Sequence, residues 1–265
     1  MEKFLVVSYD RYGYQYLRSL MLNHDDLLIH GDVWSFLNPD LIDYNPYHLI
    51  DQIYPHLDEL RFIRYIFNLS HYYFPNKMIG FKTSPFDFKQ DMDIHSRFWR
   101  DINRQGVKLI FLNRKDKFLA YLSNCLARTE GNYWLDVPYT EKTVIDVNKY
   151  IIKCQLEQNY WNLVRRRTPN CPKLDIAYED LCETPQNTVN QVYTFLEKPV
   201  IDVNSVNPSV KQMDKPAHFY VENAYQAFST VGKAVKSVNI SDNLRYYLKM
   251  AYKHAPQLRK NQFFV

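Results

Sequence analysis

Five short apolar runs, separated by segments of helical spacing, most constrain what this chain can fold into. They are Phe4-Leu5-Val6-Val7-Ser8, Leu27-Leu28-Ile29-His30, Met78-Ile79-Gly80-Phe81-Lys82, Val107-Lys108-Leu109-Ile110-Phe111-Leu112 and Leu174-Asp175-Ile176-Ala177-Tyr178. Runs this short and this apolar suit strands buried on both faces. Between them, Leu17, Leu20 and Met21 fall at helical spacing, and helices are predicted over 94–104 and 115–128. Val147, Ile151, Cys154, Trp161 and Val164 lie close to one face of a long helix. Further helices are predicted over 47–74, broken near Pro55, and over 186–196 and 241–254. Strands alternating with helices give an α/β chain with a parallel sheet covered on both faces. No repeat or low-complexity linker interrupts the pattern, so 1–265 reads as a single domain.

Composition narrows the ligand. Only 6 glycines occur, so few positions need a positive φ and each glycine is more informative than usual. The net charge of +4 suits an anionic ligand but is too small and too dispersed for a nucleic-acid surface. The one dense basic cluster, Arg165-Arg166-Arg167, ends a helical stretch, where cations favour the dipole. Cys125, Cys154, Cys171 and Cys182 are dispersed, with no metal-ligand spacing, and read as free thiols of a reducing compartment. No signal peptide and no transmembrane run is present, which predicts a soluble, cytoplasmic protein.

Ligands of open α/β sheets bind at the carboxyl ends of the strands, and three segments there carry chemistry. Asp10-Arg11-Tyr12-Gly13-Tyr14-Gln15 is a glycine turn feeding a helix, which presents backbone N–H groups and a positive dipole to an anion. It lacks the Lys-Ser/Thr ending of a nucleotide-triphosphate loop. Arg114, at the end of the fourth run, can bond a phosphate in a paired geometry, and Ser123 can add a hydroxyl. Ile29-His30-Gly31-Asp32-Val33-Trp34 sets an imidazole and a carboxylate about a glycine, and either could serve as a general base.

In order and spacing these segments resemble the sulfotransferase superfamily, in particular its bacterial carbohydrate branch with the trehalose 2-sulfotransferase-like enzymes. Arg11-Tyr12-Gly13-Tyr14-Gln15-Tyr16-Leu17 resembles the loop that holds the 5′-phosphosulfate. The Asp32 segment is similar to the one bearing the acceptor base, and Val107 to Arg128 to the 3′-phosphate strand and helix. Leu174 to Leu181 resembles the Tyr-Glu-Asp-Leu strand end, and Val210-Lys211-Gln212 with Glu222-Asn223-Ala224-Tyr225 the C-terminal lid.

The resemblance implies a P-loop NTPase-like three-layer α/β/α fold around a central, mostly parallel sheet. It implies 3′-phosphoadenosine 5′-phosphosulfate (PAPS) as sulfuryl donor, a carbohydrate or glycolipid hydroxyl as acceptor, and no metal. Arg11, Tyr12, Gly13, Tyr14, Gln15, Tyr16, Arg114, Ser123 and Lys211 would hold the donor. Asp32 would be the base with His30 as its rival, Arg11 the cation at the leaving oxygen, and Lys82 a second cation. No nucleic acid is expected as a partner, and a homodimer is left open. The sequence departs from the family pattern at Tyr12, Tyr14 and Gln15, and at Asp10, whose charge demands a pairing with Arg11 or Arg18. Tyr178-Glu179-Asp180 reads as structural, capping a helix. The tyrosines between Tyr44 and Tyr73 either stack on a sugar or pack a helical layer.

Overall fold

In a computed structural model the described residues are 2–30, 64, 67–68, 70–84, 92–131 (side chains from 97 on), 138–203 and 220–222. They form five strands: β1 (Lys3–Ser8), β2 (Leu27–Ile29), β3 (Met78–Thr83), β4 (Lys108–Asn113) and β5 (Lys173–Ala177). Helices with described bounds accompany them: α1 (Tyr14–Met21), α2 (Met92–Gln105), α3 (Lys117–Glu130), α4 (Val147–Arg167), α5 (Tyr178–Glu183) and α6 (Pro185–Phe195). Each of the five apolar runs is a strand, with ends within one residue of those expected. The expected helix over 241–254 and most of that over 47–74 lie outside the described residues; 70–73 are helical. No helix among the described residues is long and apolar enough to cross a membrane.

Two compact units make up the chain. One comprises Met1–Asn113 and Asn159–Asn207, the other Arg114–Gln158 and Pro208–Val265. The first holds the whole sheet, in the order β2-β3-β1-β4-β5 with every pair parallel. Strand alternation divides the side chains between its two faces. On one face Phe4, Val6, Ile110, Leu112 and Ile176 pack with Leu17 and Leu20 of α1, Leu181 of α5 and Val192 of α6. On the other, Phe81 meets Phe67 with ring centroids 4.9 Å apart, and Phe111 meets Trp161 of α4 at 5.1 Å. Arg165 lies over Phe111 and pairs with Asp175, its neighbour in register. Helices therefore cover both faces, and the unit is the expected three-layer α/β/α arrangement.

Gly80 shows how tightly the sheet's first face is filled. It sits opposite Phe4, and a Cβ on it would fall inside that phenyl ring. In the second unit, Phe118, Tyr121, Leu122 and Leu126 of α3 pack with Tyr139, Ile145, Val147, Tyr150, Tyr220 and Val221. Thr143 pairs with Val221 in a single parallel bridge.

Candidate functional site

The strand order creates a topological switch point. The chain leaves β1 through α1 towards the β2–β3 side, whereas β4 is followed in the sheet by β5 on the opposite side. The carboxyl end of β1 is thus where a crevice opens in an α/β sheet of this kind. The loop from Tyr9 to Gly13 occupies it.

Two residues of that loop have left-handed backbones: Arg11 at φ 66° and Gly13 at φ 83°. For Gly13 this is inexpensive, but for Arg11 it costs on the order of 1 kcal/mol. Turns of this hand tend to aim successive N–H groups into one concavity, which suits an anion. Gly13 caps α1, and no side chain caps the helix there. The first-turn N–H groups of any helix lack intrahelical partners, so the amino end of α1 adds its dipole to the concavity.

The aromatic residues of the loop pack it onto the sheet and its helices. Tyr9 and Tyr12 are buried, their rings 5.8 Å apart, and Tyr9 also packs against Tyr160 and Trp161 of α4. Tyr178 lies directly on Gly13, where a Cβ would enter its ring. This explains why the position is glycine twice over, by hand and by space. Of Tyr178-Glu179-Asp180, expected to cap a helix, Tyr178 packs on Gly13 instead and none is the N-cap. Glu179 and Asp180 lie in the first turn of α5, whose N-cap is Ala177 with no side-chain bond.

Of the loop and first-turn residues expected at the ligand, Tyr12 and Tyr14 have buried side chains, Tyr16 is half-buried, and Gln15 is exposed. The Tyr14 hydroxyl donates to the His30 carbonyl at 2.5 Å. Tyr12 and Tyr14 thus turn their side chains into the protein, whereas the exposed Gln15 can offer its amide.

Lys82 reaches the same edge from β3. Its strand pairs with β1, Val6 opposite Lys82, and the side chain is almost fully buried. The ammonium donates to Asp10 Oδ1 at 2.8 Å. Sequence reasoning offered Arg11 or Arg18 as partners for Asp10; the lysine comes from a strand 72 residues away. A lysine ending an apolar run was the only signal for it.

His30 follows β2 and continues its ladder, donating its N–H to the Gly80 carbonyl at 2.9 Å. Its Nε2 is 2.7 Å from Ser70 Oγ. Burial, and then the Arg18 guanidinium, hold its imidazole well below the usual range, at about 4. Such a ring is neutral near pH 7 but weakly basic, and its Nε2 is already engaged. Asp32, the other candidate base, lies outside the described residues, as does Lys211.

In the second unit Arg114 and Ser123 are both buried. Between them Asp116 caps α3, accepting the Leu119 N–H at 2.9 Å. Ser123 stands in the second turn of α3, and its carbonyl accepts from the Tyr139 hydroxyl at 3.3 Å. Sequence reasoning missed Glu157, a carboxylate buried in α4 and paired with Lys117 at 3.1 Å.

No protein-family model and no curated protein matches the chain. Among solved structures it is similar to a sulfotransferase from Alicyclobacillus acidocaldarius, with 14% identity, 92% of this chain and 99% of that one covered, and a TM-score of 0.45. It is similar also to the sulfotransferase domain of the Synechococcus PCC 7002 olefin synthase, at 14% identity, 95% and 94% coverage and a TM-score of 0.43. A third is the sulfotransferase domain from the curacin biosynthetic pathway, at 11% identity, 98% and 99% coverage and a TM-score of 0.44.

Proposed function

We propose that the chain is a PAPS-dependent sulfotransferase acting on a hydroxyl of a carbohydrate or glycolipid. The observation that carries the proposal is the β1–α1 loop. Two left-handed residues, one of them a strained arginine, bracket the turn at the switch point of a parallel sheet. Strain of this kind is retained where the surroundings over-determine it, most often at a ligand. The resemblance of the sequence to sulfotransferases names the anion as a phosphosulfate, and the loop has the donors to hold one. The proposal takes 1–265 as one domain at work in the cytoplasm, with no metal.

PAPS, when bound, would supply the sulfuryl group and a phosphate leaving group. Arg11 and the loop N–H groups would neutralise charge on the leaving oxygen, and Lys82 would be a second cation there. Sulfuryl transfer, like phosphoryl transfer, depends on such positioning and neutralisation more than on covalent chemistry by the protein. Asp32 would take the acceptor proton. The low proton affinity of His30 and its Ser70 contact make it the weaker candidate. By the sequence resemblance alone, Arg114 and Ser123 are assigned to the 3′-phosphate and Lys211 to the lid over the donor.

Calorimetry at moderate salt tests the reading. Adenosine 3′,5′-bisphosphate should bind at least about tenfold tighter than AMP or magnesium-ATP, the worth of one good charged contact. Equal or tighter binding of magnesium-ATP would point to a kinase instead. A second reading, a nucleotide-binding module without turnover, is favoured by the Asp10 carboxylate standing on the Lys82 ammonium. Binding of the bisphosphate without any transfer from PAPS to a panel of sugars would favour it.

A further inference from the structure

Lys82 and Asp10 form an ion pair of unequal members. The lysine side chain is 7% exposed and the aspartate 49%. The lysine is held by a central strand pair, Val6 opposite Lys82, whereas Asp10 belongs to the loop between β1 and α1. Leaving a buried ammonium without its counter-charge carries a large penalty, while a carboxylate already half in water has less solvation to regain. If the pair opens, the aspartate is the member that leaves.

The position Asp10 fills is itself an oxyanion position: a carboxylate oxygen 2.8 Å from an ammonium, one residue before the strained Arg11. We propose that Asp10 is a built-in competitor for this site, its carboxylate occupying the place beside Lys82 that a sulfuryl or phosphoryl oxygen takes on binding. The inference rests on the reading of the β1–α1 loop as an anion site given above. An incoming oxyanion gains only the difference between its own pairing with Lys82 and that of Asp10. It must also tolerate a displaced negative charge nearby. A lone inorganic anion, with no other anchor, then falls below useful affinity. An oxyanion carried on a larger ligand arrives at high effective concentration and still exchanges. Asp10 would thereby keep free sulfate and phosphate off the donor site.

The test uses the full chain and sodium sulfate, with sodium chloride at matched ionic strength as control, followed by thermal shift and calorimetry. Asp10→Asn keeps the shape and removes the charge. It should tighten sulfate binding by about tenfold, in the range expected for one charge-assisted contact. Adding Lys82→Met in the same protein should abolish that gain. Should D10N fold poorly in chloride, recovery by sulfate alone is the same expected result. Equal sulfate affinity in wild type and D10N, weaker binding in D10N, or a gain that survives Lys82→Met each overturns the proposal. Adenosine 3′,5′-bisphosphate forms the separate arm. If wild type prefers magnesium-ATP to it, the sulfotransferase reading fails, and the sulfate comparison still decides the role of Asp10.

Discussion

Two strand-to-helix turns in this chain meet the same physical problem in opposite ways. A helix beginning after a parallel strand has unpaired N–H groups and a positive dipole at its start. After β4 the chain closes that end itself: the Asp116 carboxylate accepts the Leu119 N–H. After β1 the N-cap is Gly13, which brings no side chain; the first turn carries no acidic residue, and the turn carries aromatic packing and the Asp10–Lys82 pair. One helix start is capped by its own N-cap carboxylate, and the other begins at a left-handed glycine that has no side chain to cap it. The difference teaches where to expect an anion. On the proposed reading, the α1 backbone would bind it, whereas at α3 an anion would depend on side chains such as Arg114 and Ser123.

The sharpest way to break the comparison is to fill the open turn. Gly13→Ala places a methyl group within the Tyr178 ring and forces a left-handed alanine. Overpacking and the wrong backbone hand together should cost about 4 kcal/mol of stability in chemical denaturation. Adding Tyr178→Ala should recover the steric share and leave the backbone share. If the two losses simply add, Tyr178 does not hold the loop in the way described.

Acid should separate the two turns by a smaller margin. His30 touches the first through Tyr14, and its pKa is lowered from 6.5 to about 4, mainly by burial. The neutral ring is the native form, so the unfolded chain binds the extra proton first. Stability from this residue is therefore complete above about pH 6.5 and lost as pH falls through that window towards 4. Allowing for water that reaches the ring, the loss should be about 2 kcal/mol. His30→Gln should flatten the decline between pH 6.5 and 4, as followed by urea midpoints. A decline of equal steepness in the variant would assign it to other groups.

These cases also show what was legible in the sequence. The five strands could be read from apolar runs such as Phe4 to Ser8 because a buried parallel strand needs little beyond hydrophobicity. The glycine turn could be read because few glycines occur. The Asp10–Lys82 pair could not, since it depends on Val6 standing opposite Lys82, a register that no local pattern encodes. Nor could the reason for Gly80, which is the Phe4 ring on the neighbouring strand. Local chemistry was readable; partners chosen by sheet register were not.

The closed turn should yield a smaller change than either of these. Asp116→Ala removes the bond to Leu119 N–H and should cost about 1 kcal/mol, the usual worth of an N-cap. Asp116→Asn should retain most of it. Since the α1 N-cap is a glycine with no side chain to lose, substitution at the helix's first exposed residue, Gln15→Ala, should leave stability unchanged within about 0.5 kcal/mol. A comparable loss at both positions would mean that the two turns are not built differently after all.

The smallest effect on stability concerns the two left-handed residues, among those described, that are not glycine. Arg11 at φ 66° sits in the open turn, and Glu197 at φ 59° sits just past the end of α6. At the second place the conformation ends a helix: Lys198 N–H bonds the Tyr193 carbonyl at 2.9 Å, and the Glu197 carboxylate meets Lys108 at 2.8 Å on the surface. Such an end favours glycine for purely local reasons. Replacing either residue with glycine relieves a left-handed backbone but adds freedom to the unfolded chain, so the two terms nearly offset. Both Arg11→Gly and Glu197→Gly should therefore raise stability by about 0.5 kcal/mol or leave it unchanged. Their effects on ligand binding should diverge. Glu197→Gly should leave affinity for adenosine 3′,5′-bisphosphate unaltered. Arg11→Gly should weaken it by about 2 kcal/mol, because the guanidinium is lost while the loop's backbone shape is kept. Matched stability with divergent affinity would show that the strain at Arg11 is held for its charge. If Arg11→Gly bound as well as wild type, the backbone alone would make the site.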